Sequence, residues 1–324
     1  MTPAVLTGLA IGDALGMPFE KPADQIDPRL ATWDVTYLAG EWTNRMTHNL
    51  LGDSPMNYLP PGHWTDDTEM ATALAESLVR RSGYDVQDVA KSYLAWARST
   101  PHGMGTATMK AMRKLADGVP WDRAGTEFAT PEAVGNGTAM RCAPIGAYFS
   151  QPGPSGLATM RDCMITHRHH EALAAASMVV CLVAVARGGL PLLDIARMWL
   201  RNNGTIMKPT KVSGALEAVC EYIENGIDTA VVFERIGRRG NAIQTTSTAI
   251  FCAMKHEDDF VAGVREAICG GGDTDTRGAI AGAILAARVG LEGIPEELVK
   301  GVKDSEKLLA LDALLAMGNA GAHA

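Results

Sequence analysis

From residue 68 onward, apolar positions recur mainly at three- and four-residue spacing. This is the period of a helix with one face turned toward a core, and glycine follows several of the blocks, as it does at helix ends. No stretch alternates apolar and polar residues between hairpin turns, so no sheet is predicted. The pattern predicts helices at residues 68–82, 86–98, 106–117, 158–166, 171–187, 192–201, 212–224, 243–255, 276–289 and 305–317.

Residues 32–62 interrupt this pattern. The segment has little helical period and is rich in aromatic residues and proline, Trp33, Trp42 and Pro60 among them. Such aromatic content argues against disorder, so we expect a long ordered loop. Neither a Ser- or Gly-rich linker nor an internal repeat divides the chain. The predicted architecture is therefore one all-α domain covering residues 1–324.

Composition and charge exclude several function classes. The 324 residues contain 29 Lys and Arg against 37 Asp and Glu, a net charge of −8, and no long basic run marks a nucleic-acid ligand. The longest uncharged, mainly apolar stretch, residues 172–186, is shorter than the roughly 20 residues of a membrane helix. The first basic residue is Lys21, which argues against a secretory signal. We expect a cytoplasmic monomer whose six cysteines are reduced.

Two acidic clusters carry the candidate chemistry. The first, WTDDTE at residues 64–69, opens the first strongly periodic helix. The second, GGGDTDT at residues 270–276, precedes a helix rich in Ala and Gly. Asp66 followed by Glu69 also fits a capping box, in which both side chains satisfy backbone amides at a helix start. On that hypothesis the clusters are two unrelated helix caps.

Taken together, the clusters predict a dinuclear metal centre. They supply six hard oxygen ligands, namely Thr65, Asp66, Asp67, Asp273, Asp275 and Thr276. Four carboxylates that converge would repel one another unless cations neutralise them, and four negative charges match two divalent ions. Oxygen ligands favour Mg²⁺ or Mn²⁺ over Zn²⁺. Two Mg²⁺ or Mn²⁺ ions are therefore the expected cofactors.

The sequence resembles the ADP-ribosylglycohydrolase family, which includes the dinitrogenase reductase-activating glycohydrolase. Five motifs follow in the family's order across nearly the whole chain: GLAIGDALGMPFE at 8–20, WTDDTEM at 64–70, GNGTAMR at 135–141, THRH at 166–169 and GGDTDT at 271–276. The resemblance implies a compact all-α orthogonal helical bundle. It also implies a dinuclear Mg²⁺ or Mn²⁺ centre at the base of a cleft that holds ADP-ribose.

The resemblance further implies roles for single residues. The six oxygen ligands would hold the metals, and Glu20 would join Asp66, Asp67 and Asp275 in catalysis by positioning substrate or activating water. Substrate contacts would come from Gly103, Gly105, Gly135, Asn136, Gly137, Met140 and His167. Glycines bring backbone amides close to a diphosphate, and His167 would lie beside the adenosine. From the residues alone, Glu20 also fits a solvated carboxylate and His167 a core histidine.

The implied reaction is hydrolysis at C1 of the distal ribose, which removes ADP-ribose from arginine side chains. The binding partner would be ADP-ribose or an ADP-ribosylated protein. Serine-linked or O-acetyl-ADP-ribose is an alternative substrate. Carboxylates around two metals also suit a phosphoester hydrolase, and a non-catalytic relative that binds ADP-ribose is a further alternative. Gly103 stands near a position where the nitrogenase-regulating members have an Asp, and acceptor selectivity is expected in residues 32–62.

Overall fold

Helices dominate the computed structural model, which describes residues 1–41, 48–49, 52–53, 58–99, 102–126, 131–206 and 209–320. The helices of these residues are α1 (Val5–Gly16), α2 (Asp66–Arg81), α3 (Val86–Ala97), α4 (Thr106–Ala116), α5 (Trp121–Ala124), α6 (Ala143–Tyr148), α7 (Pro152–Thr166), α8 (His170–Ala186), α9 (Leu192–Ile206), α10 (Lys211–Glu224), α11 (Thr229–Ile236), α12 (Ala242–Lys255), α13 (Phe260–Cys269), α14 (Thr274–Val289), α15 (Glu296–Gly301) and α16 (Ser305–Ala320).

The all-α prediction is confirmed. Each helix predicted from the period is present, although α7 begins at Pro152, before the predicted start at residue 158, and α9 continues to Ile206. Six helices were missed: α1, α5, α6, α11, α13 and α15. Every residue of α1 is buried, so apolar side chains cover all of its faces and no polar face marks the helical period. Helices α5, α6 and α15 are too short to show a period.

Four two-residue strands lie within residues 32–62. They are β1 (Gly40–Glu41), β2 (His48–Asn49), β3 (Gly52–Asp53) and β4 (Tyr58–Leu59). β1 pairs antiparallel with β4, and β2 with β3. Strands of this length give no alternation that a sequence pattern could show. The predicted loop is described only in part, since residues 42–47, 50–51 and 54–57 lie outside the described residues.

Helices α1 and α14 pack backbone against backbone through glycine. A Cβ atom on Gly12 would lie 2.0 Å from the carbonyl oxygen of Gly278, and one on Gly278 would lie 2.3 Å from that of Gly12. Gly8 and Gly282 repeat this contact one turn along the helices. No side chain fits at these distances, so only glycine allows this separation. The helices run antiparallel, and the end of α1 therefore meets the start of α14.

Asp312 of α16 fixes the other end of α1. Its buried carboxylate accepts the backbone amides of Leu6 and Thr7, at 2.7 and 2.9 Å. The hydroxyl of Thr7 donates to the same group at 2.8 Å. The first amides of a helix have no partner within the helix, and Asp312 supplies one across 305 positions of chain. Helix α1 is thus held at both ends by helices from the C-terminal part of the sequence.

Two further predictions concern the chain as a whole. All six cysteines are free, as predicted. Among the described residues, no helix has both the length and the apolar character that crossing a bilayer requires.

The glycine contact predicts opposite effects for two Gly→Ala substitutions. Gly278→Ala must push α1 away from α14, so we expect the free energy of unfolding to fall by about 1–3 kcal/mol, as overpacked cores do. Gly214→Ala is the control, because Gly214 lies exposed within α10 with no atom near its missing Cβ. Alanine there should raise stability by about 0.5–1 kcal/mol. Urea unfolding of both variants checks this, and equal effects would contradict the proposed role of the contact.

Candidate active site

Asp13 is a buried carboxylate at the end of α1 that holds the start of α2. It accepts the backbone amides of Thr65 and Thr68, at 3.0 and 3.1 Å, and their hydroxyls, at 2.9 and 2.6 Å. Burial raises the pKa of Asp13 to about 6, although these donors act in the opposite direction. The first acidic cluster is therefore anchored to the helix that packs on α14.

A capping box does not explain the first acidic cluster. Helix α2 begins at Asp66, and its N-cap is Thr65, whose side chain makes no capping bond. Glu69 does not reach back to the helix start but accepts the indole N–H of Trp96 at 2.6 Å and lies 2.5 Å from Nδ1 of His102. The amides that a cap would serve donate instead to Asp13. The carboxylates of Asp66 and Asp67 are thus free of capping roles.

Carboxylates from distant segments meet beside this helix start. Oxygen atoms of Glu20, Asp273 and Asp275 lie within 4.8 Å of one another, and in the described part of the chain no other group of three Asp, Glu, His or Cys ligands meets that spacing. Asp67 adjoins the group, since after burial the negative charges of Asp13, Asp66 and Asp273 also raise its pKa. The two predicted clusters therefore converge, and Glu20 joins them.

The electrostatics of the cluster are those of crowded, buried anions. Burial is the main cause that raises the pKa of Asp66, Asp67 and Asp275 well above the usual range. Neighbouring carboxylates add to it, chiefly Glu69 for Asp66, Asp13 for Asp67 and Glu20 for Asp275. Each group is harder to ionise because the others are present.

Glu20 lies at the open side of the cluster. It follows a 3₁₀ turn, Met17–Phe19, that continues from α1. Its side chain is exposed to solvent. Its carboxyl group is nevertheless crowded by protein, and this desolvation, followed by the negative charges of Asp273 and Asp13, raises its pKa to about 7. Glu20 can therefore hold or release a proton near neutral pH.

The donor set fits a hard divalent cation. Oδ1 of Asp67 is buried and has no hydrogen-bond partner among the described residues, and an anionic oxygen buried without a partner is costly. The hydroxyl of Thr65 donates toward Asp13, which leaves its oxygen lone pairs open. A set of carboxylate and hydroxyl oxygens of this kind suits Mg²⁺ or Mn²⁺.

The predicted substrate-binding glycines lie beside the cluster in two loops. Gly103 has a φ of +124°, and a Cβ there would lie 2.4 Å from Oδ1 of Asp66. Only glycine lets this loop approach that carboxylate. Gly105 is exposed, with no atom near its missing Cβ. In the second loop, a Cβ on Gly137 would lie 2.8 Å from the ring of His167.

Asn136 connects the second loop to the acidic cluster. Its Nδ2 donates to Oδ2 of Asp273 at 2.7 Å and to the hydroxyl of Thr245 at 3.2 Å. Gly135 on one side is half-buried, and the amide of Met140 donates to the Asn136 carbonyl at 3.0 Å. Because both amide hydrogens of the Asn136 side chain are engaged, phosphate contacts from this loop would have to come from backbone N–H groups.

His167 is buried behind this loop. Its Nδ1 lies 2.8 Å from the hydroxyl of Thr166. Burial, reinforced by the positive charge of Arg141, lowers the pKa of His167 to about 3. The ring is therefore neutral at physiological pH and adds no charge to the site.

Asp13 and Thr245 have contacts to the site that the sequence did not reveal. Asp13 is the single charged residue of α1, and this isolation could have indicated a special role. Thr245 stands in the run Thr245-Thr246-Ser247-Thr248, where nothing distinguishes one hydroxyl from the next.

Comparison with known proteins identifies the family. A family model described as ADP-ribosylglycohydrolase matches residues 3–322. The chain belongs to the ADP-ribosylglycohydrolase family. Enzymes of this family are hydrolases and typically depend on metal. The family prediction made from the five motifs is thus confirmed.

Individual relatives match over most of their length. The chain is 27% identical to the ADP-ribosyl-[dinitrogen reductase] glycohydrolase of Rhodospirillum rubrum, over 96% of this chain and 94% of that protein. It is 24% identical to the ADP-ribosylarginine hydrolase Tri1 of Pseudomonas putida, over 94% of this chain and 75% of that protein. A solved structure titled ADP-ribosylglycohydrolase-related protein complex is 30% identical, with a TM-score of 0.68, over 97% of this chain and 96% of the other.

The neutral state of His167 predicts how stability depends on pH. Folded His167 stays neutral down to about pH 3, whereas the unfolded chain protonates it below its usual value of 6.5, so stability is lost as the pH falls. His167→Gln removes this titration. Between pH 7 and pH 5, we expect the wild-type protein to lose about 2 kcal/mol of unfolding free energy relative to the variant. Urea unfolding at both values tests it, and a constant difference would contradict it.

Proposed function

We propose that this protein is a Mg²⁺- or Mn²⁺-dependent hydrolase that cleaves the bond at C1 of the distal ribose and frees arginine side chains from ADP-ribose. One observation carries the proposal: carboxylates from the first, second and fifth motifs converge, and Oδ1 of Asp67 is buried without a partner among the described residues. Membership of the family supplies the reaction class.

The metal ligands in this proposal are those predicted from the sequence. Two ions would be held by Thr65, Asp66, Asp67, Asp273, Asp275 and Thr276. When bound, such ions polarise oxygen atoms, lower the pKa of bound water and orient hydroxyl groups.

Glu20 is the group proposed to move the proton. Cleavage at C1 passes through a state with oxocarbenium character, which needs water delivered to that carbon and its proton removed. A Glu20 oxygen can accept this proton, because the side chain is exposed at the edge of the cluster and has an oxygen within 4.8 Å of Asp273 and Asp275. Asp66, Asp67 and Asp275 would act in catalysis as ligands, because they would hold the ions that orient the ribose hydroxyls and the water.

The two glycine loops are proposed to orient the rest of the substrate. Backbone amides of Gly135 and Gly137 would bind the diphosphate, and the neutral ring of His167 would lie along the adenosine beside Met140. Gly103 and Gly105 would line the ribose side, where the absence of a side chain at Gly103 leaves room next to Asp66. These loops would bind the substrate and hold its ribose C1 in the orientation that the reaction needs.

Arginine is the proposed acceptor for two reasons. A relative over 94% of this chain is named an ADP-ribosylarginine hydrolase. The second reason is charge: the mouth of the cluster carries Glu20, and a cationic guanidinium is attracted to a negatively charged cleft. A neutral serine or acetyl group gains nothing from that field.

The proposed reaction predicts products and a metal requirement. Incubation with arginine-, serine- and acetyl-linked ADP-ribose, with Mg²⁺, Mn²⁺ or a chelator, should give free ADP-ribose from the arginine compound only when metal is present. Mass spectrometry identifies the products. Release of phosphate or AMP would indicate a phosphoester hydrolase, and full turnover in chelator would overturn the metal-dependent scheme.

Substitution of a proposed ligand should remove metal binding and turnover together. Asp67→Asn converts the unpartnered oxygen into part of a neutral amide, and we expect Mn²⁺ affinity to fall by more than the roughly 10–100-fold of outer-shell changes. Asp117→Asn is the matched control, because Asp117 is exposed at the end of α4. Calorimetric titration with Mn²⁺ and steady-state kinetics measure both effects. An Asp67 variant that binds Mn²⁺ normally would contradict the assignment.

A further inference from the structure

We propose that Thr245 is a positioning residue that sets the orientation of the Asp273 carboxylate for cation binding. This inference rests on the metal centre in the proposed function. It concerns a residue of α12, a helix that none of the five motifs includes.

The contact itself is short and buried. Thr245 is fully buried, and its hydroxyl lies 2.7 Å from Oδ2 of Asp273. The same hydroxyl lies 3.0 Å from the carbonyl oxygen of Arg239. A hydroxyl has one proton to donate, and a carboxylate is the stronger acceptor. Asn136 donates to the Thr245 oxygen at 3.2 Å, which orients the hydroxyl toward Asp273.

Asp273 occupies an N-cap position but does not cap its helix. It is the N-cap of α14, and an N-cap aspartate usually accepts the backbone amides of the first helical turn. Here its side chain makes no such bond. Its Oδ2 accepts Thr245 and Asn136 at 2.7 Å each. These two donors hold the carboxylate away from its own helix.

This arrangement decides which oxygen a cation can use. Two hydrogen bonds fill the two lone-pair sites of Oδ2 and so fix rotation of the carboxylate about its Cβ–Cγ bond. Oδ1 is left for a cation, on a side chain that has an oxygen within 4.8 Å of Glu20 and Asp275. Without the Thr245 hydroxyl, Asn136 alone holds Oδ2, and one hydrogen bond leaves the carboxylate able to rotate toward the amides of α14.

The chain offers a matched control one position away. Thr246 is also buried on α12, but its hydroxyl has no hydrogen-bond partner among the described residues. Thr245→Val and Thr246→Val therefore make the same chemical change, removal of a buried hydroxyl, and differ in the contact to Asp273. Thr245→Ser keeps the hydroxyl and loses a methyl group.

Mn²⁺ binding to the purified proteins tests the proposal, measured by the loss of the free Mn²⁺ electron paramagnetic resonance signal. Thr245→Val should weaken binding by about 10–100-fold, as outer-shell changes do. Thr246→Val should bind like the wild type, and Thr245→Ser should recover most of the loss. In kinetics, Thr245→Val should need more Mn²⁺ for half activation yet approach the wild-type kcat at saturating Mn²⁺, which a general folding defect would not produce.

Each outcome has a defined meaning. Wild-type Mn²⁺ affinity in Thr245→Val overturns the positioning role but leaves the metal centre intact. Equal losses in Thr245→Val and Thr246→Val also overturn it, because the contact to Asp273 would not matter. If Thr245→Val does not fold, Asn136→Ala removes the other donor to Oδ2 from outside α12 and must weaken Mn²⁺ binding for the proposal to stand. A wild-type protein that binds no Mn²⁺ overturns the metal centre and, with it, this role.

Discussion

The glycine contact between α1 and α14 is the constraint on which the candidate site depends. Because Gly12 lies against the backbone of Gly278, the last turn of α1 is held beside the first turn of α14. The last turn of α1 contains Asp13, which anchors α2, and Glu20 follows shortly after it. Asp273 directly precedes the first turn of α14. Three acidic segments far apart in sequence are thus brought to one place by a contact that contains no charged group. A larger residue at Gly12 or Gly278 would separate the helices and the carboxylates with them.

The buried carboxylates of this region divide into two kinds by their hydrogen bonds. Asp13 and Asp312 accept backbone amides and hydroxyls, so their charge is satisfied within the protein and their role is to fix helix ends. Asp67 differs, since one of its oxygens is buried without a partner in the described residues. Burial alone would not separate these groups. The number of hydrogen-bond donors does separate them, because Oδ1 of Asp67, a proposed cation ligand, has none among the described residues.

Sequence alone predicted the helical class and most helices, because an amphipathic face imposes its period locally. It also predicted that the clusters at residues 64–69 and 270–276 converge, from the argument that isolated buried anions need a cation. It could not predict α1, whose burial on every side removes the period, or the partners of Glu69, which are set by Trp96 and His102 from another helix and loop. The role of Thr245 could not be predicted for the same reason, because it depends on a contact with Asp273, 28 positions further along the chain.

Charge balance supports the proposed cations. Apart from Asp13, which has its own donors, the carboxylates gathered here are Glu20, Asp66, Asp67, Asp273 and Asp275. Burial raises the pKa of Asp273, and the hydrogen bond from Thr245 and the positive charge of the buried Arg277 offset only part of this rise. Arg277 also clamps the glycine turn, donating to the carbonyl oxygens of Ala267, at 2.5 Å, and Gly271. One guanidinium turned toward backbone carbonyls cannot neutralise this many anions. The remaining charge must be met by protons, which the raised pKa values favour, or by divalent cations. The proposed hydrolysis at C1 uses ionised carboxylates, and bound divalent cations would keep them ionised.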